Sequence, residues 1–268
     1  MVPCSVVELR QYTLHPGQRE TLVSLFEREF IEPQEAAGIR VLGQFEDLDR
    51  PDHFVWFRGF ADMDARRTAL ASFYGGPVWA AHRDAANATM IDSDDVLLLR
   101  PARPGSGFPR RTRPSPGTRE TARLLLRIFH RAPGASDLLD FCLEHVEPAL
   151  EGTGAPVLTW LETKRAVNDY PRLPIREDAD VVVCLSTLAD EGALRRHLAL
   201  LSADLAWAEE VVPALRRRLA RAPEQRVLRA TPRSALWRPP WSFRPATCTT
   251  SISSTGSGWS STATSAAA

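Results

Sequence analysis

The sequence feature that most constrains the fold is a strand-and-turn motif that occurs twice. The first copy, VVELRQYTLHPG, covers Val6 to Gly17, and the second copy, LLLRIFHRAPG, covers Leu124 to Gly134. Side chains of the first copy alternate in character with a period of two, which predicts a β-strand, and the Pro-Gly pair that follows favours a turn. A chain that starts the same pattern twice is predicted to contain one fold in two units.

Each copy opens a predicted unit of strand, helix, two strands, helix and strand. In the first unit a helix is predicted from Gln18 to Ala37, and Pro33 is expected to end or kink it. The third strand, HFVWFRGF from His53 to Phe60, has apolar side chains on both faces, which is typical of a strand covered on both sides. The remaining elements are predicted as a strand at 39–45, helices at 63–73 and 78–90, and a closing strand at 96–100.

Matched positions in the two halves support the repeat. Arg10 and Arg127 are 117 positions apart, whereas Trp79 and Trp207 are 128 positions apart. The increase indicates a longer loop between the second and third strands of the second unit. Matches that keep the same order along both halves predict an internal repeat. The second unit is predicted to have strands at 123–130, 157–163, 181–185 and 226–230, and helices at 136–150 and 191–221.

Composition divides the chain into a first unit at 1–102, a Pro- and Arg-rich linker at 103–121, a second unit at 122–232 and a tail at 233–268. The linker is expected to be an exposed tether, since Arg110, Arg111 and Arg113 have no stacking aromatic residues that would indicate nucleic-acid binding. The tail is rich in Ser, Thr and Ala and has no period of two or 3.6, which predicts disorder. A frameshifted reading of the gene would look the same, so both interpretations stay open.

The overall composition argues against several classes of protein. The 268 residues are 44% hydrophobic and 25% charged with a net charge of zero, so no global field attracts nucleic acid or an acidic membrane. Four cysteines lie far apart without a CxxC pair, which argues against a zinc site and suits a reducing cytoplasm. No signal peptide, membrane span or phosphate- or dinucleotide-binding motif is present. We therefore expect a cytoplasmic protein with no metal and no cofactor.

The motifs of the first unit together resemble those of the NIPSNAP family. They are LRQYTLHPG, HFVWFRGF, the pair Arg66-Arg67, and GGPVW with Trp79. That family belongs to the dimeric α/β-barrel superfamily, so the resemblance implies an α+β fold of two tandem ferredoxin-like βαββαβ units, with antiparallel sheets packed as a dimeric α/β-barrel. The two units would form a pseudo-dimer within one chain, and further homodimerisation stays open.

The resemblance is good from Val6 to Ala102 and weaker from Leu124 to Ala230. The second unit keeps the arginine of the first strand motif as Arg127 but has Phe129 where the first unit has tyrosine. Bacterial members of the family, with which we group this chain, have no settled activity. The wider superfamily includes cofactor-independent oxygenases, haem enzymes, isomerases, lyases and binding modules, and fold alone does not choose among them.

Four residues form the candidate ligand-binding site. Arg10 and Tyr12 share one face of the first strand, and Trp56 and Arg58 share one face of the third strand, which lies next to it in a βαββαβ sheet. Arginine binds carboxylate or phenolate oxygens through two parallel donors, so the four are predicted to face the barrel interior and hold an anionic small molecule. The alternative interpretation is structural: Arg10 pairs with Glu8 or forms a salt bridge across the contact between the sheets, and Trp56 belongs to the core.

Two functional classes follow from these residues. The first is a module that binds a small apolar or anionic metabolite or a protein partner. The alternative is a cofactor-independent monooxygenase or isomerase that acts on an aromatic or polyketide-like metabolite. Because no acid–base pair is visible in the sequence, the binding class is favoured, and whether the protein is an enzyme stays open.

Overall fold

The computed structural model describes residues 4–103, 106–108, 113 and 121–236. Its strands are β1 (Val6–Leu14), β2 (Arg40–Asp47), β3 (His53–Phe60), β4 (Met90–Pro101), β5 (Arg123–His130), β6 (Val157–Thr163), β7 (Val181–Leu188) and β8 (Glu224–Ala230). Its α-helices are α1 (Arg19–Leu25), α2 (Ile31–Ala36), α3 (Met63–Tyr74), α4 (Pro77–Asn87), α5 (Leu138–Phe141), α6 (Glu147–Gly152), α7 (Glu191–Ala203) and α8 (Val212–Arg216). Within these residues no helix is long and apolar enough to cross a bilayer.

The eight strands close into one antiparallel barrel in the order β1-β3-β2-β8-β5-β7-β6-β4. The first half of the chain contributes four neighbouring strands in the order β4-β1-β3-β2, and the second half repeats that order as β8-β5-β7-β6. The two sheets join where β2 pairs with β8 and where β4 pairs with β6. The predicted fold of two βαββαβ units packed as a dimeric α/β-barrel is confirmed, and one chain supplies both sheets.

The barrel interior is apolar because alternate residues of its strands point inward and most of these are apolar. On β1, Val7 and Leu9 belong to the interior cluster, together with Val55 and Phe57 of β3. The second half adds Leu124, Leu126, Ile128, Val181, Val183, Leu185 and Leu228 to the same cluster. The other face of each sheet packs against its own helices, so each half also has an outer apolar layer.

The first helical region, predicted from Gln18 to Ala37 with an end or a kink at Pro33, runs through Pro33 to Ala36. It passes through a π-helical segment, Phe26–Phe30, and continues as α2 beyond the proline. Proline lacks an N–H and its ring crowds the carbonyl one turn earlier, and a wider π-helical turn relieves that crowding. Two further π-helical segments lie just before Pro148 and Pro213.

The last strand of the first unit is longer than the sequence indicates. The sequence predicts a helix up to residue 90, but α4 ends at Asn87 and β4 begins at Met90. The added residues pair with the end of β1, where Met90 lies opposite Leu14 across two irregularities of register. Because this part of β4 is polar and largely exposed, its side chains give no apolar period that would mark a strand.

The structured chain extends past the predicted start of the tail at residue 233. The backbone N–H of Gln44 donates to Ser234 Oγ at 3.1 Å, and Leu236 is buried in the barrel-interior cluster. These two residues therefore differ from the prediction of an unpacked tail. The rest of the predicted tail, at 237–268, and the frameshift question lie outside the described residues.

Several described positions of the predicted linker contact the barrel, among them Phe108 and Arg113. The ring of Phe108 lies 5.2 Å from the ring of Phe57, and Arg113 donates to the carbonyl of Val41 at 3.1 Å. At these two positions the chain is packed rather than an exposed tether. Residues 104–105, 109–112 and 114–120 lie outside the described part of the chain.

Candidate functional site

A buried carboxylate, Glu8, lies at the centre of the candidate site. The antiparallel register of β1 and β3 places Glu8 opposite Arg58 and Arg10 opposite Trp56. Glu8 Oε2 accepts hydrogen bonds from Arg10 Nη1 at 2.9 Å and from Arg58 Nε at 2.7 Å. Glu8 Oε1 accepts a third from Arg66 Nε of α3 at 2.6 Å. Because all four charged side chains are fully buried, this cluster is held together in a medium of low dielectric.

Aromatic side chains surround the cluster of Glu8 and its arginines. Arg10 Nε donates to Tyr12 Oη at 2.9 Å, and Arg58 Nη1 donates to Tyr74 Oη at 3.1 Å. The Trp56 ring lies beside both guanidinium groups, with its centroid 5.8 Å from Arg10 Cζ and 5.2 Å from Arg58 Cζ. Such contacts between cations and aromatic faces are favourable, most of all where water is excluded. The two arginines and the Trp56 ring thus form one buried layer with the tyrosine hydroxyls.

The protonation states of the cluster follow from its charges. Burial by itself would raise the pKa of Glu8, but the charges of Arg58, Arg10 and Arg66 hold the pKa of this carboxyl far below its usual value. Burial raises the pKa of the Tyr12 phenol, although Arg10 opposes that effect. At neutral pH, Glu8 is therefore ionised and Tyr12 is protonated.

A loop of the second half covers this cluster. The segment 164–180, between β6 and β7, crosses to the first half, where Asp169 forms an ion pair with Arg66. The ring of Tyr170 in the same segment lies 6.3 Å from the ring of Tyr74. This is the longer loop that the change in repeat spacing predicted, and its extra residues contact Arg66 and Tyr74 of the first half.

Positive charge exceeds negative charge in the covered site. Three guanidinium groups face two carboxylates, those of Glu8 and Asp169. Within the described part of the chain, Arg66 Nη2 and Trp56 Nε1 are buried and have no hydrogen-bond partner. Buried polar atoms are nearly always paired, so two unpaired donors beside an excess cation indicate a place where an acceptor would be stabilised.

The four predicted site residues, Arg10, Tyr12, Trp56 and Arg58, do lie together, but the prediction that they face the barrel interior is wrong. They lie on the outer face of the sheet, in the layer beneath the helices. The prediction rested on the expectation that arginines need a wet cavity, whereas hydrogen bonds to Glu8, Tyr12 and Tyr74 hold these two arginines in a dry layer. The ion pair between Arg10 and Glu8 that the alternative interpretation expected is present in the structure.

Three residues of the site were not predicted from the sequence. The sequence presents Arg66 only as part of a motif, although its place on α3 four residues after the N-cap Asp62 turns it toward the sheet. Tyr74 ends the same helix. Asp169 lies in a loop of the other half without periodic pattern, so no sequence signal links it to Arg66.

Solved structures with a similar fold span most of the chain. A "Putative monooxygenase" from Fusobacterium nucleatum is 8% identical and aligns over 86% of this chain and 94% of its own, with a TM-score of 0.55. An anthrone oxidase-like protein is 16% identical over 86% of this chain and 93% of its own, also with a TM-score of 0.55. At these identities the likeness shows the fold alone.

A NIPSNAP-like structure and the model of the same family each cover part of the chain. An uncharacterized NIPSNAP-like domain protein from Burkholderia xenovorans is 25% identical over 39% of this chain and 90% of its own, with a TM-score of 0.36. No curated protein matches the sequence. Residues 7–104, which carry β1 to β4 and the arginine cluster, match the model of the NIPSNAP family, and the resemblance predicted from the motifs is thereby confirmed.

Proposed function

We propose that the first half of this protein binds a small anionic aromatic molecule in the layer between its sheet and α3. Arg10, Tyr12, Trp56 and Arg58 form the binding layer. The observation that supports this proposal most strongly is the excess of buried positive charge, with Arg66 Nη2 unpaired among the described residues.

The chemistry of the site selects the class of ligand. A carboxylate or phenolate oxygen would accept hydrogen bonds from the unpaired donors of Arg66 and Trp56. Its ring would pack against Tyr12, Trp56 and Tyr74, which already form edge and cation contacts around the arginines. Since Asp169 already pairs with Arg66, an acidic ligand competes with that side chain for the same guanidinium group.

A cofactor-independent monooxygenase is the second candidate, and the fold shared with proteins named as monooxygenase or anthrone oxidase-like favours it. Such an enzyme needs a group that removes a proton from its substrate near neutral pH. Glu8 is too weak a base for that step, because its pKa is held far below the usual range, and Tyr12 keeps its own proton. Binding without catalysis is therefore the function that the geometry supports best.

The test uses two neighbouring arginines of α3. Binding of benzoate, 1-naphthoate and decanoate is measured by thermal shift and by tryptophan fluorescence on wild type, Arg66→Met and Arg67→Met. Arg66 is fully buried, whereas the side chain of Arg67 is 58% exposed and pairs only with Asp64 in the described chain. Arg66→Met should weaken binding by about 10-fold or more, because hydrogen bonds to charged groups contribute about 1.5–3 kcal/mol. Arg67→Met should bind like wild type.

Two outcomes decide between the candidates. If none of the three acids stabilises wild type, or if Arg66→Met binds them as well as Arg67→Met does, the proposal of an anion site is wrong. Oxygen uptake by wild type in the presence of an anthrone, above the rate without protein and without an added cofactor, would favour the monooxygenase instead.

A further inference from the structure

The second half keeps one arginine of the first-half cluster without the residues that neutralise it. Strand β5 pairs with β7 as β1 pairs with β3, so Arg127 lies opposite Cys184 just as Arg10 lies opposite Trp56. Like Arg10, Arg127 is buried, with 6% of its surface exposed. The two arginines therefore occupy the same place in the two halves, and their surroundings can be compared position by position.

The carboxylate at the centre of the first-half cluster is absent from the second half. Leu125 stands two residues before Arg127, at the position of Glu8. The helix residue that pairs with Glu8 is Arg66, four residues after an N-cap aspartate, and its counterpart four residues after the N-cap of α7 is Leu194. Leu125 and Leu194 pack in one buried apolar cluster. An apolar contact has thus replaced the Glu8–Arg66 ion pair, and Arg127 has lost its counter-charge.

The hydrogen bonds of Arg127 go to neutral groups. Its Nε donates to Gln225 Oε1 at 3.1 Å, and its Nη2 lies 3.0 Å from His197 Nε2. Its Nη1 is buried and has no hydrogen-bond partner in the described part of the chain, where no carboxylate forms an ion pair with this arginine either. The nearby Cys184 thiol does not supply the charge, since burial raises its pKa to about 12. A buried charge without a partner costs several kcal/mol.

His197 is fixed as a neutral acceptor. Its Nδ1 lies 2.9 Å from Thr153 Oγ1, and that hydroxyl donates to the carbonyl of Ala149 at 2.7 Å. Because Thr153 donates its hydroxyl proton to that carbonyl, its oxygen accepts a hydrogen bond from His197. The imidazole proton is therefore on Nδ1, and Nε2 accepts from Arg127. Burial, and then the charge of Arg127, lower the pKa of His197 to about 4. At neutral pH the histidine adds no second positive charge and supplies no negative charge.

We propose that the second half binds a small monovalent anion, a carboxylate or a halide, at the unpaired Nη1 of Arg127, in the layer between β5, β7 and α7. One uncompensated positive charge in apolar surroundings matches one negative charge, whereas a dianion would leave an excess negative charge there. This site is separate from that of the first half and does not rest on the function proposed for it.

The test measures stability against anion concentration for the full chain. Thermal unfolding of wild type, Arg127→Met and Arg195→Met is followed in sodium formate or sodium chloride, with ionic strength held constant by sodium sulfate. Arg195 has a side chain that is 75% exposed and serves as the control. The melting temperatures of wild type and Arg195→Met should rise with anion concentration and then level off, and that of Arg127→Met should not change.

Without monovalent anion, Arg127→Met should be at least as stable as wild type, because it lacks the uncompensated charge. A response to formate alone identifies a carboxylate site, and a response to chloride identifies a halide site.

Equal responses of wild type and Arg127→Met, or no response of wild type to either anion, would overturn the proposal. Should Arg127→Met not fold, equilibrium dialysis with labelled formate and labelled chloride replaces it, on wild type and on the first-half variant Arg66→Met. One saturable equivalent retained in Arg66→Met supports a site in the second half. Loss of that equivalent in Arg66→Met would assign the anion to the first half and end the proposal.

Discussion

Replacing Glu8 with glutamine is expected to lower the free energy of unfolding by about 3–5 kcal/mol. The Glu8 carboxylate accepts three charged hydrogen bonds of 2.6–2.9 Å from fully buried guanidinium groups. At about 1.5–3 kcal/mol each, these bonds would sum to more, but the variant also avoids the cost of burying a carboxylate. What remains is the effect of leaving three buried cations around a neutral amide. Since domains are stable by about 5–15 kcal/mol, the change should be easy to detect.

Urea unfolding followed by far-ultraviolet circular dichroism at pH 7 measures this loss, with Glu144→Gln as the control. The Glu144 carboxylate is 73% exposed, so its replacement should change stability by less than about 0.5 kcal/mol. The difference between wild type and Glu8→Gln should also depend on pH. Because the arginines hold the folded pKa of Glu8 below its ordinary value of 4.5, the contribution is complete above pH 4.5 and declines as the pH falls further. A loss of less than about 1 kcal/mol at pH 7 would refute this account of the cluster.

Further predictions concern the second half and the chain end. Because the pKa of His197 is lowered in the folded protein, its contribution to stability is complete above about pH 6.5 and is lost as the pH falls toward 4. His197→Gln should therefore make the free energy of unfolding, measured in urea, depend less on pH between these values. An unchanged pH dependence would contradict the assignment of His197 as a neutral acceptor. Truncation after Leu236 should leave the melting temperature unchanged, because the composition beyond it offers little burial. Truncation after Pro232 should lower the melting temperature, since it also removes the buried Leu236 side chain, which contributes about 1.5–3 kcal/mol. Equal melting temperatures of the two truncated proteins would refute the packing of residues 233–236.

Much of the architecture could be predicted from local pattern. The period-two alternation of β1 and β3 correctly identified which residues share a face, because side-chain direction in a strand is a property of the backbone. Which face points into the barrel was not available from either strand alone, since both faces carry apolar residues. The charged residues misled the assignment, because the effect of Glu8 on Arg10 and Arg58 depends on distances that only the folded sheet sets.

The part of the site that could not be predicted comes from contacts between the halves. Asp169 reaches Arg66 across 103 positions of sequence, from a loop whose residues show no period. Likewise, the exposed start of β4 is a strand only because β1 offers it backbone partners. In both cases the neighbour in space, rather than the local sequence, determines the structure.

The crossing of the loop 164–180 also bears on how the protein is made. Arg66 leaves the ribosome about 100 residues before Asp169, and at roughly 5–20 residues per second the first sheet waits about 5–20 seconds for its cover. During that interval the nascent first half already holds Glu8 and its arginines but lacks the acidic side chain that later competes for Arg66. A ligand of the proposed site that is present at that moment would meet the cluster before the emerging second half covers it.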